Sequence, residues 1–298
     1  MDLFLVLMIT SFGLGMVSTH AELQRFEQPA KTDGKLSFLV LGDWGEKGDF
    51  NQSEVAHQMG RIGEKLDVDF VVSTGDNFYD DGLTGEQDKA FEESFTQIYT
   101  AKSLQKQWYS VLGNHDYRGN VEAQLGLHLR KIDSRWLCLR SFIVNAVLAE
   151  IFFVDTTPFV KSYFTDAKGH TYDWRGIGNP RAYIANLIKD LKVALRESSA
   201  KWKIVANNVD FYMNGHDHCL EHISDTESPL QFLTSGAGSK AWRGDIKEQK
   251  TEGLKFFYDG QGFMSVQLTR SKAEMAFYDV SGNVLHRWNS TKLLYSSI

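Results

Sequence analysis

The sequence predicts an α/β fold in which helices cover a β-sheet or two. For most of the chain, short apolar runs alternate with segments of helical periodicity, and runs that are apolar on both faces are typical of strands inside a covered sheet. The last quarter instead contains short strand-like runs separated by the Gly-containing turns DGQG and SGN, the pattern of a meander. A length of 298 residues allows one large domain or two ordinary ones, and the alternation favours one.

Each predicted element rests on its local pattern. The apolar runs predict strands over 36–41, 69–73, 108–112, 151–154, 202–205, 209–213 and 230–233. Apolar residues at helical spacing predict helices over 53–66, 87–98 and 183–195, the first with Ser53 as N-cap. The meander strands are predicted over 256–258, 263–268, 274–278 and 284–288, and residues 22–34 are predicted to be an exposed lead-in.

The composition is that of a globular protein, with 42% hydrophobic and 23% charged residues. A net charge of −6 without a basic cluster argues against a nucleic-acid partner, so we expect a small-molecule ligand and a monomer.

The N-terminus predicts a signal peptide over residues 1–21. Residues 3–17 are almost uncharged and apolar, and small residues allow cleavage after Ala21. The alternative is a short membrane anchor, but the run is shorter than the roughly 20 residues of a spanning helix. We therefore expect one domain over 22–298, a secreted or vacuolar protein, and no stable membrane association. Asn51 and Asn289 are then potential glycosylation sites.

The two cysteines, Cys138 and Cys219, leave two alternatives open. They could form a disulfide in an oxidising compartment or remain buried free thiols.

Four glycine-containing motifs each follow a predicted strand. They are GDWG at 42–45, GDNFY at 75–79, GNHD at 113–116 and GHDH at 215–218. Ligands of open α/β sheets bind beyond the carboxyl ends of the strands, and glycines let the backbone turn sharply there. We therefore expect the polar side chains of the four motifs to share one crevice and to offer ligands to a pair of metal ions. They are Asp43, Asp76, Tyr79, Asn114, His216 and His218.

These motifs resemble those of the calcineurin-like metallophosphoesterases, and more closely the plant low-molecular-weight purple acid phosphatases. The resemblance covers nearly the whole chain after the signal. It rests on GDWG, GDNFYDDG, VLGNHDYRGN, FFVDTTPFV, YMNGHDHCLEH and FLTSGAGSKAWRGD. It implies a layered α/β/β/α sandwich and an acid phosphatase that hydrolyses phosphate monoesters by attack of a metal-bound hydroxide.

The resemblance also implies the roles of the site residues. Asp43, Asp76, Tyr79 and His218 would hold an Fe(III), for which carboxylates and a phenolate are suitable hard donors. Asp76 would bridge to a second divalent metal, Zn, Mn or Fe, which Asn114 and His216 would also bind. His115 would act as a catalytic residue on the phosphoryl group, or alternatively as a hydrogen-bond partner behind the ligands.

One motif of the family is missing. A GHH-type motif should follow the run at 202–205, with one histidine for the second metal and one as proton donor. Here only Ala206, Asn207 and Asn208 precede the next run, whereas parallel neighbours need a crossover of about a dozen residues or more. We therefore expect an internal deletion of one strand and one helix. Either 202–205 leaves the sheet, or 209–213 is displaced together with GHDH.

Three functions compete at this stage. The first is a purple acid phosphatase whose activity is impaired by the deletion. The second is a catalytically inactive metal-binding splice form, or a regulator of the full-length enzyme. The third is a phosphodiesterase, against which the Tyr79 ligand and the acidic, secreted character argue.

Overall fold

Two β-sheets face each other and helices cover their outer faces. The computed structural model describes residues 23–166, 168–204, 210–244 and 252–292. The predicted signal peptide, residues 1–21, lies outside the described residues. None of the helices in the described ranges combines the length and apolar composition needed to cross a bilayer.

The first sheet has seven strands in the order β15-β14-β13-β2-β3-β4-β5. Strands β2 to β5 are mutually parallel, and β13 to β15 join them as an antiparallel meander. Their bounds are β2 Leu36–Leu41, β3 Phe70–Ser73, β4 Gln107–Ser110, β5 Trp136–Cys138, β13 Gly262–Leu268, β14 Lys272–Asp279 and β15 Val284–Thr291. All residues of β2 and β3 are buried, as expected for strands covered on both faces.

The second sheet has eight strands in the order β1-β6-β7-β8-β9-β11-β10-β12. Its bounds are β1 Gln24–Glu27, β6 Ser141–Asn145, β7 Ala149–Val154, β8 Trp202–Ile204, β9 Phe211–Asn214, β10 Leu220–Ser224, β11 Gln231–Ser235 and β12 Leu254–Tyr258. The run predicted as the first meander strand is therefore β12, and it belongs to this sheet because it pairs with β10.

The helices complete a four-layer sandwich. Their bounds are α1 Gln52–Leu66, α2 Val121–Leu125, α3 Leu127–Ile132, α4 Ser162–Thr165 and α5 Pro180–Glu197. Helix α1 buries Val55 and Met59 against the first sheet, and α5 buries Leu187 and Leu191 against the second. A third apolar cluster fills the space between the two sheets. The predicted α/β/β/α sandwich is confirmed.

Several element predictions need correction. The helix predicted over 87–98 is reduced to a π-helical turn at Glu92–Thr96, flanked by aromatic side chains that pack into the core. The N-cap of α1 is Asn51, not Ser53, whose hydroxyl donates to the carbonyl of Gly48 instead. The exposed lead-in contains β1, which pairs with β6. Nothing in its polar sequence indicated a strand.

We expected either that 202–205 leaves the sheet or that 209–213 is displaced together with GHDH, and both alternatives are wrong. Strands β8 and β9 are parallel neighbours in the same sheet, and within the described ranges Ile204 pairs with Phe211. The backbone N–H of Asp210 also donates to the carbonyl of Lys203 at 2.8 Å. The region between, 205–209, lies outside the described residues.

The cysteines and the glycosylation candidates are placed clearly. Cys138 and Cys219 are both buried free thiols, so the second of the two alternatives is correct. Asn51 and Asn289 are both exposed.

Gly75 tests how the strand ends are brought together. Its φ of +108° lies in the region that favours glycine, and a Cβ there would lie 2.9 Å from the backbone nitrogen of Gly113. We predict that Gly75→Ala lowers the free energy of unfolding by about 1–3 kcal/mol, measured by urea denaturation.

Gly85→Ala is the matched control, because a Cβ at Gly85 meets nothing within 4 Å and no positive φ is involved. It should change stability by less than about 0.5 kcal/mol. Equal stability of the two variants would contradict this account of the turn.

Candidate metal centre

The four motif loops meet at one place, between the ends of the two sheets. Asp43 follows β2 and Asp76 follows β3, each with a positive φ, 60° and 48° respectively. His216 follows β9 of the other sheet, and its backbone N–H donates to Asp43 Oδ2 at 2.8 Å. The expected crevice therefore exists, and it joins strand ends from both sheets.

The first group of potential metal ligands consists of Asp43, Tyr79 and His218. The Tyr79 hydroxyl donates to Asp43 Oδ1 at 3.0 Å and lies 3.1 Å from His218 Nε2. His218 Nε2 lies 3.4 Å from Asp43 Oδ1. A carboxylate, a phenol and an imidazole nitrogen thus face one another at mutual distances of 3.0–3.4 Å.

His218 is held in the form that binds metals. Its Nδ1 lies 2.5 Å from the carbonyl oxygen of Lys240, and its ring stacks on Trp242 at 4.0 Å. Burial lowers the pKa of His218 to about 4, so the ring is neutral in mild acid. A Nδ1–H that donates to a carbonyl leaves the Nε2 lone pair directed at Asp43 and Tyr79, as is usual behind metal-binding histidines.

The second group of potential metal ligands consists of Asp76, Asn114 and His216. His216 Nδ1 lies 3.9 Å from Asp76 Oδ2, and Asn114 lines the same cavity as both residues. Asp76 Oδ1 also accepts the backbone N–H of His115 at 2.7 Å. The His216 side chain remains 61% exposed, whereas Asp76 is buried, so this group is open on one side.

Two carboxylates of like charge are buried together here. Burial, and next the charge of Asp76, hold the pKa of Asp43 well above its usual value. Burial also acts to raise the pKa of Asp76, but hydrogen bonds from His216 and His115 outweigh it and the pKa lies below its usual value. Among the described residues, only His216 and His218 place a basic nitrogen within 4 Å of either carboxylate. A bound cation would resolve this repulsion.

The residues present fit a metal pair by donor type. No group of three His, Cys, Asp or Glu side chains in the described ranges is already arranged around one metal position. The donors instead form an Asp–His pair in each group, completed by a tyrosine and an asparagine. The glycines leave room for this, since a Cβ at Gly215 would lie 2.4 Å from Asp43 Oδ2 and one at Gly113 would lie 2.3 Å from Asp76 Oδ1.

His115 lies against the first group and beside the second. Its ring packs on Tyr79 with centroids 4.4 Å apart, and Nδ1 contacts the carbonyl of Asp80 and Arg118 Nη1. Its position at the rim agrees with either role left open for it from the sequence.

Asp116 was missed, although it is the last residue of GNHD. It is fully buried and accepts the backbone N–H groups of Asn77, Phe78 and Gly113 and the side-chain amide of Gln124. It thereby ties the GDNFY loop to the GNHD loop. An aspartate in a glycine-containing loop was the available signal, but it indicated no role because its partners in the other loop, Asn77 and Phe78, lie 39 and 38 positions away.

The comparisons with known proteins give the family of the chain. The calcineurin-like phosphoesterase family model matches residues 36–220. The chain is 58% identical to Purple acid phosphatase 17 of Arabidopsis thaliana over 324 residues, covering 99% of this chain and 96% of that protein. It is 57% identical to Purple acid phosphatase 3 of the same plant, covering 92% and 82%.

The chain belongs to the purple acid phosphatases, within the calcineurin-like phosphoesterase family.

Among solved structures, GAP50, the anchor in the inner membrane complex of Plasmodium, matches with a TM-score of 0.69. It is 22% identical and covers 86% of this chain and 89% of that one, which shows the shared fold. Membership of the purple acid phosphatases makes this chain a phosphoesterase family member, and its relatives imply phosphate esters as substrates and a dinuclear metal centre.

Asp116 provides a test of how the loops are held. Asp116→Ala would leave several buried donors without an acceptor, so we predict a loss of at least about 3 kcal/mol in the free energy of unfolding. Thermal and urea unfolding measure it. The control is Asp33→Ala, an exposed aspartate that accepts a single backbone N–H, and it should cost less than about 1 kcal/mol. A variant at position 116 as stable as the control would contradict the assigned role.

Proposed function

We propose that the protein is an acid phosphatase that hydrolyses phosphate monoesters at a dinuclear Fe(III)–M(II) centre. Asp43, Tyr79 and His218 would hold the Fe(III) together with Asp76. Asp76 would also bridge to a divalent Zn, Mn or Fe held by Asn114 and His216. The observation that supports this best is that the side-chain oxygen and nitrogen atoms of Asp43, Tyr79 and His218 lie within 3.4 Å of one another, with the Asp43 carboxylate buried.

The donor types support a trivalent ion in the first group. Tyr79 supplies a phenolic oxygen whose pKa is raised well above its usual value by burial and then by the charge of Asp43. Such a phenol ionises only if a strong positive charge replaces its proton, and a hard, highly charged ion does this best. When bound, the cation pair supplies Lewis acidity that polarises the phosphate and activates water for in-line attack.

The chain's own residues would orient the ester. His115 is the proposed catalytic residue. Contacts of its Nδ1 with Asp80 and Arg118 hold the ring in place. Its Nε2 has no hydrogen-bond partner within the described ranges, so this nitrogen is free to contact a phosphoryl oxygen or the leaving group. Arg118 also lies 3.8 Å from Asp81, which holds it beside His115.

We further propose that an internal deletion impairs this activity. The alignment with Purple acid phosphatase 17 spans 324 residues, whereas the whole chain has 298. Purple acid phosphatase 17 therefore carries residues that have no counterpart in this chain. Ile204 and Phe211 pair in parallel although they lie close together in the sequence, so we propose that the missing residues belong between them. No histidine stands between Ile204 and His216 in the sequence, so the expected proton donor is absent there. Loss of a proton donor typically costs about 10²–10⁴ in rate.

We also propose where the protein works. The apolar N-terminus would direct the chain to the secretory pathway, and the mature protein would work outside the cell or in the vacuole as a monomer.

The Tyr79 assignment has a spectroscopic test. A tyrosinate bound to Fe(III) gives a visible charge-transfer band, so we predict a purple protein with iron by elemental analysis. Tyr79→Phe should lose that band while the protein stays folded. Tyr109→Phe is the control, because the Tyr109 hydroxyl contacts Gln28 away from the site. An unchanged band in Tyr79→Phe would contradict the assignment.

The activity has a separate test. We predict that turnover of p-nitrophenyl phosphate in mild acid is about 10²–10⁴ lower than that of Purple acid phosphatase 17, as expected for a missing proton donor. Asn114→Ala should lower it further. Rates within about tenfold of the relative would refute the impairment. A coloured protein without any turnover would instead favour the catalytically inactive metal-binding form.

A further inference from the structure

A cavity of about 650 Å³ opens from the candidate metal centre into the protein. Asp76, Asn114 and His216 form one end of it. From there the cavity extends between the second sheet and helix α5, where Lys192 also lines it. Its volume lies within the range of sites that bind small molecules.

The inner part of the cavity is lined by apolar side chains from two elements. Phe152 and Val154 come from β7, and Leu191 and Leu195 come from α5. Water makes few hydrogen bonds to such walls, so an apolar group that displaces it gains free energy. The ends of β8 and β9 also border the cavity.

The opening of the cavity is also apolar. Phe159, Val160 and Ile188 line it and are exposed to 39%, 41% and 38% respectively, although large apolar residues are usually buried. These residues line the same cavity as Asp76, Asn114 and His216.

We propose that this cavity binds the alcohol portion of the substrate, so that the preferred substrates are phosphate monoesters of apolar aliphatic or aryl alcohols. The phosphate would bind at the Asp76, Asn114 and His216 end, and the apolar group would extend along α5. This inference rests on the proposed function, of which it names the substrate class.

The first test uses n-alkylphosphonates, which carry the charged group but are not hydrolysed. Their binding to the metal-loaded protein is measured by calorimetry. We expect the affinity to rise about threefold per methylene over the first carbons, so that octylphosphonate binds at least about tenfold more tightly than ethylphosphonate. Equal affinity for the two compounds would overturn the inference.

Two tryptophan variants on α5 locate the effect. Ile188→Trp fills the opening of the cavity and should remove the preference for octyl over ethyl. Val193→Trp is the matched control, since Val193 is 39% exposed on the same helix but does not line the cavity. It should keep the preference. Loss of the preference in both variants, or in neither, would contradict the proposed site.

A third measurement separates this inference from the proposed function. If no phosphonate binds and no ester is hydrolysed, the phosphatase proposal fails. The cavity is then judged with 8-anilinonaphthalene-1-sulfonate. Fluorescence that is lost in Ile188→Trp but not in Val193→Trp supports an apolar ligand site, and its absence in the unaltered protein refutes one. Turnover without any dependence on chain length would leave the phosphatase intact and refute the cavity.

Discussion

Asp43 and Asp76 are two buried carboxylates of like charge, and their placement explains most of the surrounding structure. The loops that carry them bend through positive φ values, and glycines at positions 75, 113 and 215 allow the backbone to come close. Asp116 ties the GNHD loop to the GDNFY loop by accepting the backbone N–H groups of Gly113 and Asn77. The sandwich brings its strand ends together at a point where both carboxylates stay ionised only if positive charge lies beside them.

The two halves of this site differ in completeness. Around Asp43 the chain supplies a full set of partners, and His218 is fixed by Trp242 and the Lys240 carbonyl. Around Asp76 the site is open toward the cavity and His216 is exposed. In our proposal the missing histidine would weaken catalysis, and the cavity beside Asp76 would receive the alcohol portion of the substrate.

Much of this architecture could be predicted from local pattern. Runs such as 36–41 and the glycine motifs after them identified the central strands and the convergence of their ends. Other features depended on distant partners. β1 has a polar sequence and exists because β6 pairs with it. The parallel pairing of Ile204 with Phe211 puts β8 and β9 side by side in one sheet, which the usual crossover length does not predict. The contact between His218 and Lys240 could not be predicted either, because it uses a backbone carbonyl oxygen that any residue at position 240 would supply.

The central claim is that Asp43 and Asp76 hold cations between the two sheets. Anomalous X-ray diffraction from crystals of the purified protein at the iron edge tests it most directly. The account predicts an iron peak bonded to Asp43, Tyr79 and His218, with a second metal peak sharing Asp76. Iron found elsewhere, or an ordered site with direct Asp43–Tyr79–His218 hydrogen bonds and no peak in iron-loaded crystals, would contradict it.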